Sequence, residues 1–261
     1  MGIEVFLQAV LVVFFLMTVL WLVSLAIKNA SIVDIFWGFG FVLVAWVTLL
    51  QHPGNPSPRS WLLIGLVTIW GLRLELYILS RNLPKGEDFR YAKWRQEHGK
   101  AWWWRSYFQV FVLQGVLMLI ISIPLLIVIS STAQPSLGWL DAAAVLLWLV
   151  GFIFEAGGDW QLARFKANPA NKGKLLTSGL WRYTRHPNYF GDAAQWWAFY
   201  LFAILAGGWW TVFSPLIMSL LLRNVSGVAL LEKTLVDSKP GYRQYVESTN
   251  AFIPWFPRQP K

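Results

Sequence analysis

The sequence predicts an all-α fold, a polytopic membrane helix bundle, and three observations carry that expectation. Hydrophobic residues make up 56% of the 261 residues and charged ones 13%, whereas a soluble domain carries roughly 25% charged residues. The excess apolar surface has to face lipid, because a water-soluble chain of this size needs more polar surface than this one supplies. Second, apolar runs close to the ~20 residues that cross a bilayer recur along the chain. Third, the basic residues gather in alternate loops, which is the pattern of short cytoplasmic connections.

Taken in order, the apolar runs are 3–27, 31–50, 60–79, 107–130, 138–157, 192–206 and 209–231, the last two parted by Gly207 and Gly208. These give about seven transmembrane helices. The first run has no basic stretch before it and no small-residue cleavage site after it, so it is expected to span rather than to be a cleaved leader. No repeat or linker divides the chain, and 1–261 is expected to be one integral membrane domain. Basic residues crowd 80–106, 158–190 and the tail, while 131–137 and 207–208 carry no charge. Seven spans put every basic segment on one side, with the N-terminus outside and the C-terminus cytoplasmic.

The formal net charge is +9. In a membrane chain this suits basic cytoplasmic loops and a phosphorylated ligand better than nucleic acid, which is not expected as a partner. The absence of cysteine excludes disulfides, thiolate metal sites and Cys nucleophiles. The three histidines, His52, His98 and His186, are far apart in sequence, so no metal site is expected. Eighteen Trp suit membrane interfaces, where an apolar ring and a polar tip are both satisfied.

Ionisable residues inside the runs are the first candidates for chemistry, since burying them in lipid is costly. Asp34 lies in S-I-V-D-I-F-W-G, and Arg73 and Glu75 lie in W-G-L-R-L-E-L-Y. Asp34 also suits a helix N-terminus, where the dipole favours an acid. Glu155 and Asp159 are four apart and share a helix face, followed by Arg164 and Lys166. The segment Asn82–Arg105 mixes cations, acids and four Trp, which suits an ordered interfacial loop. The densest cluster is T-S-G-L-W-R-Y-T-R-H-P-N-Y-F-G-D, Thr177 to Asp192. Pro187 forces a helix to begin near it, and a helix start with arginines beside it suits phosphate or carboxylate. Arg223, Gly227 and Leu231 fall at i, i+4 and i+8 and are expected on one face, with Ser226 and Gly227 allowing close approach.

With R-H-P-N-Y-F-G-D, S-I-V-D-I-F-W-G, W-G-L-R-L and K-P-G-Y-R-Q-Y, the sequence resembles a bacterial family of uncharacterised membrane proteins. That family is related to the steroid 5-alpha-reductase C-terminal domain and, more distantly, to isoprenylcysteine carboxyl methyltransferases. The resemblance implies a bacterial inner-membrane protein with NADPH in a cytoplasm-facing cavity, most of its site lying in about 138–261. It implies cofactor contacts from Asp159, Leu162 and Lys166, from Asn188, Tyr189 and Asp192, and from Arg73 and Arg223. Arg81, Asn82, Arg90 and Tyr91 in the 81–95 loop, with Arg185 and His186, are expected to complete it. Asp34 falls where the reductases carry a substrate-cavity Glu, and Tyr189 is the phenol placed to serve as catalytic acid. The sequence departs from the reductases at Trp70, where they have a catalytic Tyr, and at Gly227 and Leu231, where they have His and Tyr. Tyr77 is a second phenol that could substitute.

The expected activity is hydride transfer from NADPH to a carbon–carbon double bond of an apolar, lipid-like enone that enters from the bilayer, with membrane lipids around it. The alternative is an S-adenosylmethionine-dependent methyltransferase, whose R-H-P-x-Y block and late Glu are matched by His186 and Glu232. A non-enzymatic membrane scaffold is the third reading; it has no use for the 182–192 cluster.

Overall fold

The computed structural model describes residues 2–51, 54–82, 85–132, 136–225 and 227–258. Among them the secondary structure is helical, with no strand. Among the described residues five helical stretches are long and apolar enough to cross a membrane: Ile3–Ile27, Pro58–Asn82, Phe89–Ser130, Trp139–Ala167 and Trp209–Lys233, the last of them interrupted at Gly227. The outer face of the first shows what surrounds them. Ile3, Leu7, Leu11 and Phe15 repeat every fourth residue and are exposed, while Ala9, Val13, Met17 and Leu20 are buried. A helix apolar on its outer face as well as its inner one is solvated by lipid. The protein is an integral membrane helix bundle.

Of the other two expected spans, 31–50 is split at Phe36 into α2 (Ile32–Ile35) and α3 (Trp37–Leu50), following α1 (Ile3–Ile27). Trp37–Leu50 is apolar but short, at 14 residues. The 192–206 run lies in α9 (Pro187–Leu205), which begins at Pro187 as its missing N–H allows.

The chain forms two compact units. The first comprises Met1–Leu137 and Phe202–Thr211. It holds α1 to α3, α4 (Pro58–Asn82), α5 (Phe89–His98), α6 (Trp102–Ser106) and α7 (Leu113–Ser130), with a π-helical turn, Tyr107–Val112, joining the last two. α3 packs on α1, α4 and α7. Its crossing with α4 is backbone on backbone: a Cβ on Gly38 would lie 2.2 Å from the Gly71 carbonyl oxygen. Small residues at a crossing let dispersion act at short range, which matters in lipid because no hydrophobic gain drives helix association there. Trp70, Phe41, Phe111 and Met118 fill the core around this contact.

The second unit comprises Gly138–Leu201 and Val212–Lys261. It holds α8 (Trp139–Ala167), most of α9, α10 (Phe213–Leu220), α11 (Val228–Ser238) and α12 (Tyr242–Ser248). The same device recurs, since a Cβ on Gly191 would lie 2.3 Å from the Gly151 carbonyl oxygen and 2.4 Å from the Glu155 nitrogen. α8 runs past the apolar run 138–157 to Ala167, 29 residues in all. At 1.5 Å per residue that is about 43 Å, longer than a ~30 Å hydrocarbon core. Asp159, Leu162 and Lys166 therefore sit on the helix rather than after it.

The face expected from Arg223, Gly227 and Leu231 does not form. The helix passes into a π-turn, Leu221–Val225. Gly227 (φ −100°, ψ −109°) turns the chain into a separate helix, α11. Residues on either side of that break do not share a helical stripe. Ser226 and His52, singled out from the sequence, lie outside the described residues.

Glycine substitutions separate the crossing from the rest of the helix surface. Gly65 has nothing within 4 Å of an added Cβ, so Gly65→Ala should stabilise by up to about 1 kcal/mol through helix propensity. Gly191→Ala should destabilise by about 1–3 kcal/mol, the usual cost of overpacking. Denaturant unfolding in matched micelles measures both.

Candidate functional site

Polar side chains gather in two places, one in each unit. In the first unit Asp34 stands on the short helix α2. Arg90 Nη2 donates to its Oδ2 at 3.1 Å and the Tyr91 hydroxyl to its Oδ1 at 2.7 Å. Gln114 Nε2 donates to the Tyr91 oxygen at 3.2 Å, and the Trp37 indole N–H donates to Gln114 Oε1. A directed chain of donors thus runs from Trp37 to the Asp34 carboxylate. Asp88 caps α5, accepting from the Arg90 N–H at 3.0 Å and from Arg90 Nε at 2.9 Å. Burial pushes the Asp88 carboxyl up, but its bonds and charge pairing with Arg90 outweigh that and hold it below the usual aspartate range.

A second clamp holds the same loop. Glu87 accepts from the Ala30 N–H at 2.7 Å and takes both arms of Arg95 at 2.8 Å. The α1–α2 turn and α2 are therefore tied to the 87–95 segment at three points, by Glu87 at Ala30, by the Asp88 N–H donating to Ser31 Oγ at 3.2 Å, and by Arg90 and Tyr91 at Asp34. Asp34, Arg90 and Tyr91, predicted separately as site residues, come together here. Gln114, Trp37, Glu87 and Arg95 are the partners that sequence reasoning missed.

Elsewhere in this unit, Arg81 is exposed, bonds Asn82 Oδ1 at 3.2 Å and covers the Tyr77 ring. Arg73 is half-buried on α4, and Trp70 is fully buried in the core against Phe41, ring centroids 5.8 Å apart.

In the second unit the R-H-P-N-Y-F-G-D block divides into two jobs. Arg185, buried, donates through Nε and Nη2 to both oxygens of Glu232, at 2.7 and 3.0 Å. Its Nη1 donates to the carbonyls of Val246, at 3.1 Å, and Thr249. This is a fork-to-fork pair that also satisfies carbonyls at the end of α12. His186 Nε2 lies 3.1 Å from Glu232 Oε1, and the Tyr242 hydroxyl 3.4 Å from the same oxygen. Burial, with the Glu232 charge beside it, pushes the Tyr242 phenol above the usual tyrosine range. Arg185 thus spends four of its five N–H groups inside the protein, holding the segment before α9 to the C-terminal helices.

The second job belongs to the start of α9. Asn188 Nδ2 donates to Asp159 Oδ1 at 3.1 Å. The Asn188 carbonyl oxygen is buried and has no hydrogen-bond partner among the described residues. A buried amide oxygen left bare costs about 1–3 kcal/mol, which a ligand donor would offset. Asp192 is buried one turn on, and Tyr189 stacks on His186 with ring centroids 5.6 Å apart. One turn deeper, Gln195 Nε2 donates to Glu155 Oε2. Asn188, Asp192 and Gln195 form a polar stripe facing the Asp159–Glu155 face of α8. Gln195 was not singled out in the sequence, although an amide at i+7 from Asn188 continues that stripe. Leu162 is half-buried and Lys166 exposed on α8, and Arg223 is exposed on the π-turn.

The chain is similar to two proteins of fission yeast. An uncharacterized protein of Schizosaccharomyces pombe is 28% identical over 276 residues, covering 95% of this chain and 79% of its own length. The Delta(14)-sterol reductase of the same yeast is 38% identical over 79 residues, 25% of this chain. That match spans 19% of the reductase's own length. Residues 20–249 match the family described as protein of unknown function, DUF1295, and the chain belongs to that family.

Proposed function

We propose that the protein is a membrane-embedded reductase that transfers a hydride from NADPH to a carbon–carbon double bond of an apolar, lipid-like substrate. The observation that carries the reading is the Asn188–Asp159 pair with its bare, buried amide oxygen. A carboxamide fits it, because its N–H group can donate to Asn188 Oδ1. The similarity of part of the chain to a sterol reductase supports the same chemistry. NADPH, when bound, supplies the hydride. Asn188, Asp159 and Asp192 hold and orient it, with Leu162 and Lys166 further along α8. Tyr189, held flat by His186, is the proposed proton donor to the alkene carbon next to the carbonyl. Asp34 lies in the first unit, where its charge is balanced by Arg90. Helix walls exclude water, which protects hydride transfer.

The S-adenosylmethionine reading draws on His186 and Glu232, but Glu232 is engaged by Arg185, His186 and Tyr242 within the protein. Its two oxygens are largely occupied before any ligand arrives.

NADPH should raise the melting temperature of detergent-solubilised protein, since a ligand bound only to the folded state adds stability by mass action. NADH should do less, lacking the 2′-phosphate that Lys166 and neighbouring cations would meet. Protection by S-adenosylmethionine without protection by NADPH would reverse the assignment.

Asn188→Ala and Asp192→Ala should each weaken NADPH by roughly 3-fold to 100-fold, the range for one lost hydrogen bond. Titration and apo melting temperature are read on the same samples. A lower apo melting temperature with unchanged affinity would assign both residues to structure alone.

The basic loops further support an inner-membrane orientation with the C-terminus cytoplasmic. Alkaline phosphatase fused within 131–137 should be active, and fused after the last residue it should be inactive. Activity at the C-terminal fusion would invert the topology.

A further inference from the structure

The overhang of α8 carries a second feature. The helix bears one strongly exposed Trp at each end of its apolar stretch, Trp139 (81% exposed) and Trp160 (59%). They lie 21 positions apart along α8, or about 32 Å at 1.5 Å per residue. That matches the ~30 Å separating the two interfaces of a bilayer, where Trp concentrates. Trp160 therefore marks the depth of the phospholipid headgroups.

At that depth α8 and the loop returning from it line an open, shallow cavity of about 650 Å³, whose lining includes Trp160, Gln161, Arg164, Asn168, Leu176 and Ser178. Two of its three amides are turned to present donors, while the third, Asn171, gives its own N–H to the Phe165 carbonyl at 3.0 Å. Gln161 Oε1 is occupied by the Leu180 N–H at 3.0 Å, and Asn168 Oδ1 by the Ala170 N–H at 3.0 Å. Both amides thus spend their acceptors on the backbone and keep their N–H groups. Arg164 lies over the Trp160 ring, 5.4 Å from its centroid, and has no acid partner among the described residues. Stacking fixes the guanidinium while leaving its edge open. Lys172 and Lys174 follow in the same loop and are exposed. The cavity offers a fixed cation, amide donors and the Ser178 hydroxyl, with Trp160 and Leu176 as apolar wall.

We propose that this cavity binds the headgroup phosphate of an anionic phospholipid. The phosphodiester oxygens would meet Arg164, Gln161 and Asn168, and the acyl chains would run down the lipid-facing side of α8 past Trp160. A cavity of this size is in the range of small-molecule sites. The occupant is a lipid rather than free phosphate because the cavity lies at headgroup depth and has an apolar wall. The inference does not depend on the reductase reading. The residues on the other face of α8, Asp159, Leu162 and Lys166, are not part of it.

Native mass spectrometry of delipidated protein, titrated with phosphatidylglycerol and with phosphatidylcholine of the same acyl chains, tests it. The protein should retain phosphatidylglycerol about tenfold more strongly, because both lipids bring the phosphodiester but only phosphatidylcholine brings a quaternary ammonium up to Arg164, Lys172 and Lys174, and like charges brought together weaken binding. Arg164→Gln, which keeps the stem over Trp160, should remove that preference. Arg243→Ala, an exposed cation outside the cavity that removes the same charge, should keep it. Equal retention of the two lipids, or a preference that survives Arg164→Gln, overturns the site. Inorganic phosphate is the second arm: binding of phosphate that depends on Arg164, without any preference for phosphatidylglycerol, overturns the lipid assignment.

Discussion

A polar group inside hydrocarbon has no water to fall back on, so it must find its partner in the protein. Much of what is specific in this structure follows from that constraint. The four-residue helix α2 exists beside a turn whose Ala30 N–H is taken by Glu87 and whose Asp34 is taken by Arg90 and Tyr91. Gln114 lies in an apolar helix yet has both ends of its amide engaged, by Trp37 and Tyr91. In the other unit Arg185 and Glu232 answer one another and settle the carbonyls of α12 at the same time. Against this background of paired groups, the amide oxygens of Asn188 and Gln195 stand bare on one stripe of α9, and buried acceptors left open side by side suit a ligand site.

The two arginine forks are alike in geometry and differ in what they join. Arg95–Glu87 ties a loop to a turn, and Arg185–Glu232 ties the approach to α9 to the helix after the π-turn. Both resist replacement by lysine, whose single ammonium cannot span two carboxylate oxygens. The block that looks richest in cations is thus partly a buckle. Its first half, Arg185 and His186, fastens the C-terminal segment; its second half, Asn188 to Asp192, faces the polar stripe of α8.

The bundle itself was legible in the sequence because hydrophobic runs report directly on solvation by lipid. Helix ends were less so. Apolarity marks where a helix leaves hydrocarbon, not where its hydrogen bonds stop, and α8 continues ten residues beyond its apolar run. The break at Gly227 was read as a continuous stripe because glycine is common in membrane helices and carries no local signal of a turn. Candidate residues were found where charge in an apolar setting is conspicuous, as at Asp34 and Asp159. Their partners were not, since Asp34 and Arg90 are 56 positions apart and nothing in a single sequence pairs them. Gln114 and Gln195 were passed over for being uncharged, although an amide deep in an apolar run has the same need for company.

The two exposed tryptophans of α8 act as a gauge fixed to the bilayer. Asp159 lies one position inside the upper mark and Lys166 nearly two turns beyond it. A thicker membrane would draw the Trp160 end of α8 deeper, and a thinner one would lift it toward water, with the buried Asp159 carried along inside the protein. Membrane thickness is thereby an input to the polarity around the Asn188–Asp159 pair, delivered with no ligand and no change in fold. The same protein placed in two bilayers of different thickness would hold this end of α8 at two different depths.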